Sequence, residues 1–261
     1  MLSWPDEMAL PSDTEAALEC VFSQAPNGAR LNGYPCLPLH ALYAVVHQAT
    51  DVDCEIRRLR TNHIIRVLQL PNSGSDLVVM READYLAAHR DLNGPFDSGW
   101  LSRTVDLHIS KDELAQMLQV DYGHLDEACT SLIRAGWLNR KPASLQSPTS
   151  GEVLLLAMPQ TGRLMASLMK CCDAVLLALR KNRFGCVPRR VVERASMVRK
   201  VLASTGLDLR YVMRDMIGRR LLTEQQRGSG ADSTTLTLTQ AGQQAANTAA
   251  LQSGVGQKRK R

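Results

Sequence analysis

The residues best equipped for chemistry in this sequence are its cations. In LRKNRFGCVPRRVVERASMVRK, residues 179–200, eight of twenty-two residues are Lys or Arg and one, Glu193, is acidic. Guanidinium and ammonium groups at this density suit phosphate, to which they donate charge-assisted hydrogen bonds. From Arg180 to Arg227 there are 13 cations against 4 acids, a local net charge of +9 in a chain whose overall charge is only +5. The rest of the chain is therefore mildly acidic. Such asymmetry marks a surface for a polyanion, most often nucleic acid; the competing reading is a solvated helical face. The candidate phosphate contacts are Arg180, Lys181, Arg183, Arg189 and Arg190, followed by Arg210, Arg214, Arg219 and Arg220. A second group, Arg57, Arg58 and Arg60, is interleaved with Asp51, Asp53 and Glu55. Each phosphate contact on duplex DNA releases condensed counterion, so binding is expected to weaken with salt at a log–log slope of about 0.9 per contact. With 4% aromatic residues, a stacking platform for single strands is disfavoured, and duplex binding with little sequence preference is expected.

Catalytic apparatus is not visible. The chain has no GxxxxGK[ST] or GxGxxG phosphate loop, no GxSxG and no HExxH. AHRDLNG, residues 88–94, contains the HRDL of a protein-kinase catalytic loop, but the magnesium-binding Asn expected five residues after Asp91 is Phe96. No DFG or VAIK-type lysine accompanies it. The segment reads as a coincidence on a solvated helix end. His40, His47, His63, His89, His108 and His124 do not cluster with carboxylates at ligand spacing, and the seven cysteines form no CxxC pair. No metal or cofactor is expected, and the thiols read as reduced, mostly core-packing groups of an intracellular protein. The chain lacks an apolar run of membrane-spanning length, and its start, MLSWPDEMALPSD, is acidic and broken by Pro, unlike a signal peptide. A soluble protein with no membrane partner is expected.

The elements that must carry these cations show a repeat. In CEIRRLRTNHIIRVLQL, Leu59 is followed five residues later by Ile64 and Ile65; in LDEACTSLIRAGWLNRK, Leu132 by Trp137 and Leu138; in LRYVMRDMIGRRLLTEQQ, Met216 by Leu221 and Leu222. Each reads as an amphipathic helix, a break at Asn62, Gly136 or Gly218, and an extended strand. The paired positions lie 73 and 84 residues apart. Each strand is followed by a turn-forming or Pro/Ser-rich connection (PNSGSD, the loop after Arg140, RGSGADS), a second apolar strand and a helix start (READYLAA, PQTGRLMASLMK, TQAGQQAANTAA), the pattern of a hairpin wing.

Earlier helices complete each unit. LPLHALYAVVHQATDVDCEIRRL reads as helix, turn at Ala49 to Asp51, helix; Ser110 caps KDELAQMLQV in a capping box with Glu113, and VDYGHLDEACTSLIRAG supplies the next helix; CDAVLLALRKN, PRRVVERAS and TGLDLRYVMRDMIG supply the third set. The expected fold is mainly α with small β-hairpins (α+β), arranged as three tandem winged-helix domains: a disordered N-terminus at 1–13, units at 14–94, 95–172 and 173–247 (the basic one), and a flexible basic tail at 248–261. An unrelated mixed α+β domain is the alternative. A winged helix presents its third helix to the major groove and its wing to phosphate. By that measure the middle unit, with Arg134 against Asp121, Asp126 and Glu127, suits protein contacts or spacing better than a polyanion. Lys258, Arg259, Lys260 and Arg261 form a minimal nuclear import signal or a solubilising tail.

The order RRLRTNHIIRVLQL, hairpin, EADY, LIRAGWL, AVLLALRKNRF, LDLRYVMRDMIGRRLL resembles the serine/threonine-protein kinase 19 family over about residues 14–240. The resemblance implies tandem winged helices without a kinase domain: a nuclear, non-enzymatic DNA-binding scaffold, with RNA as an alternative ligand, acting in transcription-coupled nucleotide excision repair. It implies the Cockayne-syndrome repair factors, stalled RNA polymerase II and the repair helicase complex as partners, and a monomer or weak dimer. The family's basic cluster matches Arg180, Lys181 and Arg183, with Phe184 in the place of an aromatic. The family's basic nuclear segment precedes the fold, whereas here the comparable run, Lys258 to Arg261, follows it. The alternatives are a winged-helix adaptor in transcription or chromatin whose basic face meets an acidic protein, and a protein kinase.

Overall fold

A computed structural model describes residues 11–46, 48–69, 76–105, 108–140, 153–182, 185–226 and 234–258, the last six without side-chain detail. The chain begins with α1 (Asp13–Ser23), whose start is fixed by a capping box: Ser12 Oγ accepts the Glu15 amide at 3.1 Å and the Glu15 carboxylate accepts the Ser12 amide at 3.0 Å. A small hairpin of β1 (Arg30–Leu31) and β2 (Tyr34–Pro35) leads to β3 (Leu37–Pro38), α2 (His40–Tyr43), α3 (Ala49–Thr61), β4 (Ile65–Gln69), β5 (Leu77–Arg81) and α4 (Glu82–Asp91). Next come α5 (Ser98–Arg103), β6 (His108–Ser110), α6 (Lys111–Leu118), α7 (Tyr122–Ala135), β7 (Leu138–Arg140), β8 (Val153–Leu156) and α8 (Thr161–Arg180). The chain then runs through β9 (Cys186–Pro188), α9 (Arg189–Arg194), α10 (Ser196–Thr205), α11 (Leu209–Gly218), β10 (Leu222–Gln226), β11 (Thr234–Leu238) and α12 (Gln240–Lys258). Ser110 and Glu113 form the expected capping box on α6.

Three sheets share one plan. Each is antiparallel and three-stranded, with a short first strand paired to the third, which pairs in turn with the second: β3-β5-β4, β6-β8-β7 and β9-β11-β10. Equivalent apolar residues face across the short pairing, Leu37 with Val79, Ile109 with Leu154 and Val187 with Leu236. All six are buried. The closing bond repeats as well: the amides of Glu82, Ala157 and Thr239, each just past its third strand, donate to the carbonyls of Ile64, Trp137 and Leu221.

The five-residue spacing in the sequence has a physical cause. The amides of Ile64, Trp137 and Leu221 donate to the carbonyls of Leu59, Leu132 and Met216, at 2.9, 3.0 and 2.9 Å. The residue just before each donor is left-handed: His63 (φ 55°), Gly136 (φ 86°) and Arg220 (φ 57°). This is the Schellman helix end, in which the six-to-one bond brings an apolar side chain past the helix against one in its last turn. The breaks expected at Asn62 and Gly218 therefore fall one and two residues later, where backbone geometry requires positive φ. Gly218 serves packing instead, because a Cβ there would lie 1.7 Å from the His40 carbonyl oxygen on α2.

The structure departs from the sequence pattern at several points. Ala49 to Asp51 open α3 and are not a turn; the break lies between Tyr43 and Ala49. The short first strands went unforeseen, and so did α10, which begins after Ala195 leaves the helical region (ψ 118°). The division at 172/173 falls inside the continuous α8, and the one at 247/248 inside α12, which stays helical to Lys258. His89 is not on a solvated helix end. It is buried, stacked on Phe96 at 5.9 Å between ring centroids and edge-on to Trp137 at 4.9 Å, and its Nε2 accepts the Phe96 amide. Asp91, of the same HRDL fragment, accepts the Tyr34 hydroxyl at 2.7 Å.

The sheets and their helices pack on one another through buried polar contacts. Arg66 on β4 donates to the Glu82 carboxylate, with Nε at 2.9 Å from Oε2, and to the carbonyls of Leu101 and Thr104. α11 lies against α2; its Tyr211 hydroxyl also donates to the Cys36 carbonyl at 3.0 Å, and the Gly28 amide donates to the carbonyl of Gly206, the C-cap of α10, at 2.9 Å. Of the seven cysteines, all free thiols, Cys36, Cys129, Cys171 and Cys172 are buried, as core packing requires, while Cys20, Cys54 and Cys186 are exposed.

Candidate nucleic-acid interface

The dense cationic stretch folds into the end of α8 and the two helices that follow β9. Arg180 is the last residue of α8 and Lys181 its C-cap; both are exposed. Two cations there complement the partial negative charge of the helix end. The helix α9 is only six residues long, and its core anchor is Val192, which is buried. Arg190 and Arg194 are exposed around that anchor, and Arg199 and Lys200 are exposed on α10. Among the described residues, Arg180, Lys181, Arg194, Arg199 and Lys200 have no carboxylate partner. Glu193 is held by Arg189, with Nε at 2.9 Å from Oε1. Arg183, and Phe184 beside it, lie outside the described residues, as do Arg259, Lys260 and Arg261; Lys258 ends α12.

Three more candidates meet in a cleft of about 290 Å³ between the segment after α2, the start of α9, α11 and β10, lined by Arg189, Arg210 and Arg214 together with Val45 and Glu224. Arg210 and Arg214 share one face of α11, as their spacing requires. Both donate to Gln24 Oε1, at 3.4 and 3.0 Å. Gln24 is neutral, so two adjacent guanidiniums keep their charge uncompensated. Arg189 is more committed, because it also reaches Glu224 at 3.5 Å. A phosphate oxygen could replace Gln24 and accept from both Arg210 and Arg214. Ala44 and Val45, just past α2, form the other wall, and α11 itself packs on α2. A third helix standing free to enter a major groove is therefore not what the fold provides here.

Arg219 and Arg220 part company. Arg220 is exposed, whereas Arg219 is largely buried and bound on two sides, to Asp215 at 2.8 Å and to Asp76 at 2.7 Å. His40 approaches the same Asp76 oxygen at 3.6 Å. Burial pushes the Asp215 carboxyl upward against the pull of Arg219. Arg219 therefore belongs to the packing of α11 on the first sheet and not to a ligand surface. The Cys172 thiol beside this network is pushed well up, first by burial and then by Asp215.

In the first group, Arg58 is exposed but spent within the molecule. It chelates Glu55 at 2.9 and 2.6 Å and reaches Glu15 at 3.1 Å. Its hydrogen bonds hold the Glu55 carboxyl below the usual carboxylate range. Arg57 is exposed, and Arg60 is half-buried with its Nε shielded from water and unpartnered among the described residues. Sequence reasoning left Arg199 and Lys200 out of the site because the helix that carries them was not foreseen. Their signal was present: SMVRKVLAST places Val198, Val201 and Leu202 at helical spacing with the two cations on the other side.

Among the described residues no group of three His, Cys, Asp or Glu side chains could hold a metal ion, and no helix is long and apolar enough to cross a membrane. Comparison of the sequence with protein-family models and with curated proteins gives no match.

Proposed function

We propose that the chain is a non-enzymatic nucleic-acid-binding scaffold of three winged-helix units, with the third as its phosphate-contacting module. The observation that carries the reading is the set of exposed cations on the end of α8, α9 and α10 that have no carboxylate partner, next to two guanidiniums whose shared acceptor is a neutral amide. The winged-helix assignment is supported by the three sheets of one strand order, each preceded by helices and entered through the same helix end. Arg220 and Arg190, both exposed, extend the surface, and Arg57 marks a weaker site on α3. Double-stranded DNA is the favoured ligand and RNA the second. By its resemblance to the serine/threonine-protein kinase 19 family, the scaffold acts in the nucleus in transcription-coupled repair, beside the Cockayne-syndrome factors, the stalled polymerase and the repair helicase.

A gel-shift titration against duplex DNA, single-stranded DNA and RNA, each at two salt concentrations, tests this directly. Duplex binding that weakens steeply with salt is expected. Binding to none of the three at low salt would refute it.

A further inference from the structure

α9 separates two clefts, and the second differs from the first in chemistry. It lies between the end of α8, β9, α9 and the start of α10, with a volume of about 460 Å³. Val187 and Val192 in its wall are buried, Met197 is half-buried, and Val191 is 48% exposed on its lip. Lys181 and Arg194 also line it, both exposed and without a carboxylate partner among the described residues. The one acid of α9, Glu193, is held by Arg189, which lines the other cleft.

A phosphodiester backbone would satisfy the cations and leave Val191 in water. A purely apolar ligand would do the reverse. The group that meets both is a peptide with carboxylates flanking a large apolar side chain, which loses apolar area to the valines while its charges face Lys181 and Arg194. We propose that this cleft docks an acidic segment of a partner protein, anchored by an apolar side chain against Val187, Val191 and Val192 and oriented by Lys181 and Arg194. Lys181 and Arg194 also belong to the proposed nucleic-acid surface, so the valine wall, and not these cations, distinguishes the two ligands.

The test uses the full chain and two fluorescein-labelled synthetic peptides. One is Glu-rich with Leu and Phe on one helical face; the other has Ser in place of every Leu and Phe. In fluorescence anisotropy the first is expected to bind about tenfold tighter than the second. Val191→Ser is expected to abolish that preference while leaving duplex-DNA affinity unchanged. Lys181→Glu is expected to weaken the first peptide about tenfold or more. In the unmodified protein, methyl resonances of Val191 and Val192 should shift on adding the first peptide and not the second, a readout that needs no variant. Equal binding of the two peptides, an unmoved Val191 methyl pair, or a parallel loss of duplex affinity in Val191→Ser would each overturn the proposal, the last by assigning the cleft to the nucleic acid.

Discussion

Arg219 and Arg220 are neighbours of the same type with opposite fates, and their fates separate by experiment. Removing Arg219 leaves Asp215, fully buried, without its ion pair, so Arg219→Ala is expected to cost about 3 kcal/mol in urea denaturation. Arg220 holds a left-handed backbone that glycine adopts without strain. Arg220→Gly should therefore raise stability by about 0.5–1 kcal/mol while weakening duplex binding, and a variant that is both less stable and unchanged in binding would contradict both assignments. His89 supplies the pH dependence. Burial, reinforced by the charge of Arg66, holds its imidazole below the ordinary pKa, so the folded protein keeps it neutral where the unfolded chain takes up a proton. Between those two pKa values the unfolded state binds more protons, and stability must fall as the pH drops through that window. Denaturation midpoints at neutral pH and at about pH 5.5 should show a smaller loss for His89→Gln than for the unsubstituted chain.

Among the elements, α11 carries the most consequence. Its residues Tyr211, Val212, Met213, Asp215 and Met216 are buried, and Gly218 lets α2 approach. Gly218→Ala drives a methyl group into the His40 carbonyl, and the expected cost is about 1–3 kcal/mol in thermal or urea unfolding. An unchanged midpoint would mean that α2 and α11 are not in contact in solution. What the sequence made legible at this scale was whatever repeats with side-chain chemistry. The pairs Ile64–Ile65, Trp137–Leu138 and Leu221–Leu222 located three helix ends and three second strands, because apolar residues commonly flank a Schellman bond. Strands of two or three residues such as Leu37–Pro38 carry too little alternation to be seen. α10 was hidden because Ala195 separates it from α9 with neither Gly nor Pro to mark the break. Pairing across the fold was illegible too: nothing local in Arg219 or His89 points to Asp76 or Trp137, which lie far away in the chain.

At the scale of the whole molecule, charge is divided by position. On α3 the acid Glu55 is matched by Arg58 of the same helix, while the cations between Arg180 and Lys200 outnumber the single acid among them. Mutual repulsion of uncompensated cations costs stability, and a polyanion relieves it. Saturating duplex should accordingly raise the melting temperature, and more so at low salt. Charge reversal tests directly whether that surface binds nucleic acid. Replacing Arg180, Lys181 and Arg194 together with Glu changes exposed side chains alone, so circular dichroism should be unaltered. In a duplex titration at low salt the triple variant is expected to lose affinity by about a hundredfold or more, with a salt slope lower by about 2 to 3; affinity and slope equal to those of the unsubstituted chain would contradict the assignment.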